Sequence, residues 1–167
     1  MRTFLALLAS LAFTAQAGIT SSYTNMETDC QDAFPESELH EGSDMPKLCK
    51  GPKGYYVHEW YAAVGSFRNI SQGKKGETLL KSAIAPDNCP EPVYGKMLEW
   101  RQRDGAPFAV IQRVTCYEMP SGSQSHGKRI SETLQVRELH GAQRQGEVEA
   151  LRTPNANVRA RELADKY

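Results

Sequence analysis

Several stretches of the chain alternate between apolar and polar residues with a period of two, which is typical of half-buried β-strands. The first stretch, Tyr55 to Tyr61, is rich in tyrosine, valine and tryptophan, residues that favour extended structure. Alternation sends Tyr55, Val57 and Tyr61 to one face and Tyr56, His58 and Trp60 to the other. We expect one face to join the core, and we take the second set as a candidate binding surface.

The strongest local signal is Asp104-Gly105, which lies between two β-rich runs. This dipeptide favours a two-residue type I′ hairpin turn, because both of its central residues need positive φ. The resulting register pairs Arg103 with Ala106, Trp100 with Ala109 and Leu98 with Ile111. The Trp100 face is then the expected core face, and the opposite face is expected to hold Glu99 and Arg101 in water.

The last third of the chain predicts two further strands and a helix. Ile130 to Leu139 alternates and is expected to pair with the strand that ends at Tyr117, and Gly146 to Arg152 predicts a fourth strand. Thr153-Pro154 is typical of a helix N-cap followed by proline at the first helical position. One helical face would then carry Ala156, Ala160, Leu163, Ala164 and Tyr167.

Polar segments separate these elements. Gly18 to Asp44 is predicted to be irregular, and Asn69 to Gly76 is predicted to be a surface loop. The triplet Asn69-Ile70-Ser71 fits a glycosylation site, which only a eukaryotic secretory route would use. Glu77 to Ile84 fits a short helix or a strand equally well.

These elements predict an α+β fold. We expect a mostly antiparallel, twisted β-sheet of five or six strands, with the C-terminal amphipathic helix packed against one face. Residues 18–167 are long enough for one domain with a substantial core of its own.

The first 17 residues resemble a secretory signal peptide. A basic start at Arg2 precedes an apolar run from Phe4 to Phe13, and Ala15-Gln16-Ala17 fits a small-x-small cleavage signal. The apolar run is shorter than the roughly 20 residues that span a bilayer. We therefore predict cleavage before Gly18, a periplasmic or secreted location, and no transmembrane segment afterwards.

Four cysteines follow this segment, at Cys30, Cys49, Cys89 and Cys116. An even count in an exported chain indicates two disulfides, with three possible connectivities. We favour Cys30–Cys49 with Cys89–Cys116, which closes two separate loops. The hairpin register supports the second pair, because it sets Cys116 beside Val93 and therefore near Cys89. No spacing is C-x-x-C, as a zinc ribbon or a thioredoxin-like motif would need.

The charges balance, with 20 basic and 20 acidic residues, so the composition gives no general attraction to nucleic acid. Residues 18–44 contain seven acids and no lysine or arginine. We expect this segment to neutralise part of a mildly basic body. The acids Asp29, Asp32 and Glu36 lack the ligand spacing of a calcium loop, and we predict no metal or cofactor.

No enzyme signature stands out. The four histidines are scattered, and no G-x-S-x-G elbow, P-loop or S-x-x-K motif is found. His58 and Glu59 are adjacent, but neighbours in a strand point to opposite faces. We assign no catalytic residue and lean against an enzyme.

Several short motifs together resemble a family of small, exported, uncharacterised proteobacterial proteins. They are Ser22-Tyr23-Thr24 followed by Cys30, Cys49 ahead of Gly54 to Val57, Leu98-Glu99-Trp100-Arg101, Pro107-Phe108-Ala109, Asn155-Ala156-Asn157, and Ala160 to Asp165. The resemblance implies a mostly β protein with a C-terminal helix, and it supports pairing Cys30 with Cys49. The chain departs from the family in having Cys89 and Cys116, and in lacking a cysteine within Gly146 to Arg152.

The leading functional hypothesis is a non-enzymatic periplasmic or secreted protein that binds another macromolecule, such as a protein. Tyr56, His58, Trp60 and Arg101 are the candidate binding surface. One alternative is a small periplasmic hydrolase that uses His58 or a carboxylate pair. The other is a structural component of the envelope.

Overall fold

We describe a computed structural model of the chain, which defines residues 18–33, 46–62, 65–80, 82–123 and 125–167. The predicted signal peptide at 1–17 lies outside these ranges. The strands are β1 (Ile19–Asn25), β2 (Cys30–Asp32), β3 (Lys47–Lys50), β4 (Tyr55–Ala62), β5 (Gly65–Gln72), β6 (Glu91–Arg103), β7 (Ala106–Tyr117), β8 (Arg129–Glu138) and β9 (Gln145–Glu149). A 3₁₀ turn covers Pro52–Gly54, and the helix α1 is Ala156–Ala164.

The strands form two antiparallel sheets rather than the single sheet of five or six strands that the sequence predicted. The five-stranded sheet has the order β1-β6-β7-β8-β9, and the four-stranded sheet has the order β2-β3-β4-β5. Strands β6 to β9 form a meander, and β1 adds to its β6 edge. The four-stranded sheet is therefore an insertion between two neighbours of the five-stranded one. The predicted mostly antiparallel β fold with one C-terminal helix is confirmed.

The main core lies between the two sheets. It consists of Met26, Cys49, Tyr55, Val57, Ile70, Leu80, Ile84, Leu98, Trp100, Val110 and Leu139. Trp100 is completely buried, and its indole N–H donates to Thr24 Oγ1 at 2.8 Å. Gly51 makes room for this ring, since a Cβ at that position would lie 2.4 Å from Trp100 Cζ2. The 3₁₀ turn can therefore pass directly over the indole.

A second, smaller core lies between the five-stranded sheet and α1. Three alanines of the helix, Ala156, Ala160 and Ala164, pack on Ala109, Ile111, Leu134 and Val136 of β7 and β8. The predicted apolar face of the helix is confirmed, with Leu163 and Tyr167 partly buried beside it. The predicted N-cap is wrong. The cap is Asn155, with φ 54°, and Thr153 and Pro154 precede it.

The Asp104-Gly105 turn forms as predicted, with φ of 53° and 75° at the two residues. As far as Leu98, the predicted register beyond the turn is wrong by one residue because β7 contains a bulge, and a second irregularity follows between Leu98 and Tyr94. Gln102 pairs with Pro107 and Arg101 with Ala109, which leaves Phe108 as the extra residue. Trp100 consequently lies opposite Val110, and Ala109 and Ile111 face the helix instead of the main core.

Glu99 and Arg101 are buried rather than solvated, at 9% and 7% exposure. The helix covers their face of the sheet and supplies opposite charges. Arg161 Nε lies 2.7 Å from Glu99 Oε1. Asp165 accepts two hydrogen bonds from the Arg101 guanidinium, at 2.9 and 2.8 Å. Pairing of this kind lets charged groups leave water.

The polar segments are more ordered than predicted. Within residues 18–44, the described part forms β1 and β2, and 34–45 lies outside the description. Residues 69–72 belong to β5, where Asn69 is buried at 7% exposure, so the glycosylation triplet is inaccessible in the folded chain. The described residues of 77–84 form neither a helix nor a strand beyond one bridge from Thr78 to Ser71, and they bury Leu80 and Ile84.

Both predicted disulfides are confirmed. Cys30 and Cys49 face each other across β2 and β3, with Cα atoms 3.8 Å apart. Cys89 forms a disulfide with Cys116, and their Cα atoms are 5.5 Å apart. In the strand register, Cys116 lies opposite Pro92 instead of the predicted Val93. In the described ranges, no helix has the length and apolar character to cross a membrane.

Candidate functional site

A cleft of about 530 Å³ lies against β2, β3 and β4 of the four-stranded sheet. We call it the lysine cleft and define it by six of its lining residues: Lys47, Leu48, His58, Trp60, Lys74 and Lys75. Its volume lies within the range of about 300–1,000 Å³ that is usual for ligand pockets.

Strand pairing explains why these residues meet. β3 runs antiparallel to β4, so Leu48 lies directly opposite His58, and both side chains share one face of the sheet. The chain turns after β5 at Gly73, which has φ 83°, and the N–H of Gly76 closes the turn on the carbonyl of Gly73. This turn carries Lys74 and Lys75 to the cleft.

The ring of Trp60 lines the lysine cleft and is supported by a second aromatic ring. Trp60 is 36% exposed, and its ring stacks on that of Phe67 with centroids 6.3 Å apart. Phe67 is the cross-strand partner of Trp60 on β5. Leu48, only 7% exposed, adds an aliphatic surface. Apolar contact area is thus available within the cleft.

His58 is fixed in one role by its hydrogen bonds. Its Nε2 lies 2.6 Å from Ser71 Oγ, and the Ser71 hydroxyl donates its single proton to the carbonyl of Gly73 at 2.8 Å. The imidazole must therefore donate to Ser71 Oγ instead of accepting from it. Burial lowers the pKa of His58, so the ring is neutral at neutral pH.

This arrangement does not prepare Ser71 as a nucleophile. Nucleophilic catalysis needs a base that accepts the hydroxyl proton and a reachable oxygen. Here His58 is the donor, and Ser71 is only 1% exposed. The contact is best explained as a structural link between β4 and β5.

The described lining residues of the lysine cleft carry a net positive charge. Lys47, Lys74 and Lys75 form no ion pair with any residue in the described ranges. Glu59 also lines the cleft, but its carboxylate forms an ion pair with Arg68 at 2.8 Å, and both side chains are buried between the sheets. Since His58 is neutral, three ammonium groups set the local potential.

The four predicted surface residues do not all meet. Tyr56, His58 and Trp60 share the outer face of β4 as expected, with Tyr56 and His58 half-buried. Arg101 lies on the other sheet, buried beneath the helix, and does not contribute to that surface. The side chain of Tyr61 is outside the description, whereas Tyr55 and Val57 lie in the core as the alternation implied.

Sequence reasoning missed the three lysines. Lys74-Lys75 is visible in the sequence as a basic doublet in a Gly-bearing segment. Its position beside Trp60 depends on β5 folding back on β4, which the doublet itself does not indicate.

A second cleft, of about 310 Å³, lies between α1 and the five-stranded sheet, and Tyr23, Met97 and Arg113 line part of it. Its charged groups already pair with each other or with neighbours, as in Arg161–Glu99 and Arg113–Glu132. Among the described residues, neither lining contains two carboxylate side chains. Among the described residues, no three His, Cys, Asp or Glu side chains form a group suited to a metal ion.

Compared with known proteins, the chain matches no family model, no curated protein and no solved structure.

Proposed function

We propose that this protein is an exported, non-enzymatic binding protein and that the lysine cleft is its binding site. One observation carries the proposal. A preformed cleft combines a partly exposed tryptophan with three lysines that have no ion-pair partner in the described part of the chain. Exposed aromatic rings and uncompensated charge are the features that interfaces use for affinity and steering.

Export is supported by two independent features. The first 17 residues have the charge and apolar pattern of a signal peptide. All four cysteines of the chain are paired in disulfides, which persist in the periplasm or outside the cell and are rare in the cytosol.

The chemistry of the cleft favours binding over hydrolysis. The His58–Ser71 contact has the donor and acceptor reversed relative to a catalytic dyad. The acid next to His58, Glu59, is committed to Arg68 between the sheets. The hydrolase alternative that uses His58 or a carboxylate pair therefore has no support in this cleft.

Site-directed photo-cross-linking tests the proposal. A photoreactive phenylalanine analogue replaces Lys75 at the cleft or Val158 on the exposed face of α1, in the full mature chain. After illumination with periplasmic extract, we expect one covalent adduct from position 75 and none from position 158. The additional substitution Trp60→Ala should remove that adduct.

Other patterns would overturn the proposal. Equal adducts at both positions would show non-specific capture. An adduct only at position 158 would move the interface to the helix, and none at either position would argue against a cleft-bound partner. A stable co-assembly that survives Trp60→Ala would favour the structural envelope alternative.

A further inference from the structure

We infer that the lysine cleft binds an acidic, partly apolar segment of another protein. This inference rests on the proposed function, and it adds the chemistry of the partner. Its basis is that the described lining of one cleft combines apolar side chains with three lysines.

The lysines of the cleft determine the sign of the partner's charge. Lys74 and Lys75 are exposed on the turn after β5, and Lys47 of β3 also lines the cleft. Three like charges around a low-dielectric wall focus a positive potential on the space between them. Carboxylates entering this space gain favourable contacts without displacing an existing ion pair of the described residues.

The described lining residues include no arginine, so an anion that enters the cleft meets compact ammonium charges instead of a bidentate guanidinium. Ammonium groups attract carboxylates and phosphates alike. The apolar side chains of the cleft therefore decide between an acidic peptide and a phosphate-rich chain.

The apolar lining residues favour a protein partner over a charged polysaccharide. Leu48 and Trp60 present aliphatic and aromatic surface, and Ala33 and Pro46 extend it. An apolar side chain of a peptide can be buried there at about 25 cal/mol per Å² of apolar area removed from water. The hydroxyls and carboxylates of a polyanionic glycan would instead be desolvated against apolar walls.

Titration with two matched peptides tests this inference. The probes are twelve-residue peptides that alternate leucine with either glutamate or glutamine. Binding is followed by tryptophan fluorescence, since Trp60 is exposed whereas Trp100, the other tryptophan, is fully buried. We expect the glutamate peptide to bind, the glutamine peptide to bind at least tenfold more weakly, and the difference to shrink as salt is raised.

Variants identify the groups responsible. The double substitution Lys74→Gln with Lys75→Gln should weaken binding of the glutamate peptide about fivefold, because it removes two partly exposed charge contacts. Lys128→Gln removes an exposed lysine that does not line the cleft, and it should leave affinity within about twofold. Circular dichroism checks that both variants keep the native fold.

The outcomes separate this inference from the proposed function. Equal affinity for the two peptides, or tighter binding of heparin or duplex DNA than of the glutamate peptide, would overturn the acidic-protein partner. A cross-linked partner whose attached segment lacks acids would do the same and leave the binding function standing. Conversely, glutamate-peptide binding without any cross-linked partner would support the cleft chemistry but contradict the proposed function.

Discussion

The carboxylate of Glu99 lies between the five-stranded sheet and α1, at only 9% exposure. It accepts hydrogen bonds from Arg161 and from Ser21 Oγ, and Arg101 approaches to 3.8 Å. The same carboxylate raises the pKa of Arg161 by hydrogen bonding to its charged form. A single acid thus connects β1, β6 and the helix.

Replacing this acid should destabilise the fold. Glu99→Gln removes the charge that compensates two arginines, and hydrogen bonds to charged groups contribute roughly 1.5–3 kcal/mol each. We expect the free energy of unfolding to fall by about 2 kcal/mol, measured by urea denaturation. Glu162→Gln is the control, since its pair with Arg159 is half-exposed and contributes about 0.5 kcal/mol or less. A similar loss in both variants would contradict this view.

At the scale of elements, the β6–β7 hairpin organises the five-stranded sheet. Its turn sets the two strands antiparallel, and the bulge at Phe108 decides which side chains face the other sheet. The ring of Phe108 lies beneath the Arg103 guanidinium, 4.4 Å from ring centroid to Cζ. The guanidinium thus covers the ring of the extra residue.

The turn itself offers a direct test. Gly105 has φ 75°, a conformation that costs a residue with a Cβ about 1 kcal/mol or more. Gly105→Ala should therefore lower the free energy of unfolding by about 1 kcal/mol in thermal or urea unfolding. Asp104→Asn should be nearly neutral, because asparagine tolerates the left-handed region. If Gly105→Ala is as stable as the native chain, the turn is not the type assigned.

Local patterns predicted the elements whose signals are local. The turn at Asp104-Gly105, the alternation of β4 and the apolar face of α1 all follow from residues within one element. The bulge at Phe108 was not predicted, because the dipeptide turn does not fix the pairing of the residues beyond it. β1 was missed because its serines and threonines lack apolar alternation, and pairing with β6 supplies its order.

At the scale of the whole molecule, the division into two sheets could not be predicted. Strand patterns do not indicate which strands pair, and β1 pairs with a strand more than 70 residues away. The same reason limited the candidate site. His58 and Trp60 were identified from alternation along β4, whereas the lysines reach them only through the pairing of β3, β4 and β5.

The disulfides should contribute much of the stability of the folded domain. Cys89 and Cys116 are 27 residues apart, and closing a loop of that length in the unfolded chain is worth about 3.5 kcal/mol. We expect the double substitution Cys89→Ala with Cys116→Ala to lower the free energy of unfolding by about that amount, measured in urea without reductant. The native chain in excess reductant is the reference, and it should be at least as unstable. A loss below about 1 kcal/mol would show that the entropic model fails here.

Each sulfur–sulfur bond connects strands or strand ends of the same sheet. Cys30–Cys49 joins β2 to β3, and Cys89–Cys116 joins the start of β6 to β7. Only the two chain segments at 26–29 and 73–90 tie one sheet covalently to the other. No disulfide therefore fastens one sheet to the other. The packing of the two layers rests on Trp100 and the apolar side chains around it, together with the hydrogen bonds from the buried Arg68 to Gln112 and to the Gly95 carbonyl.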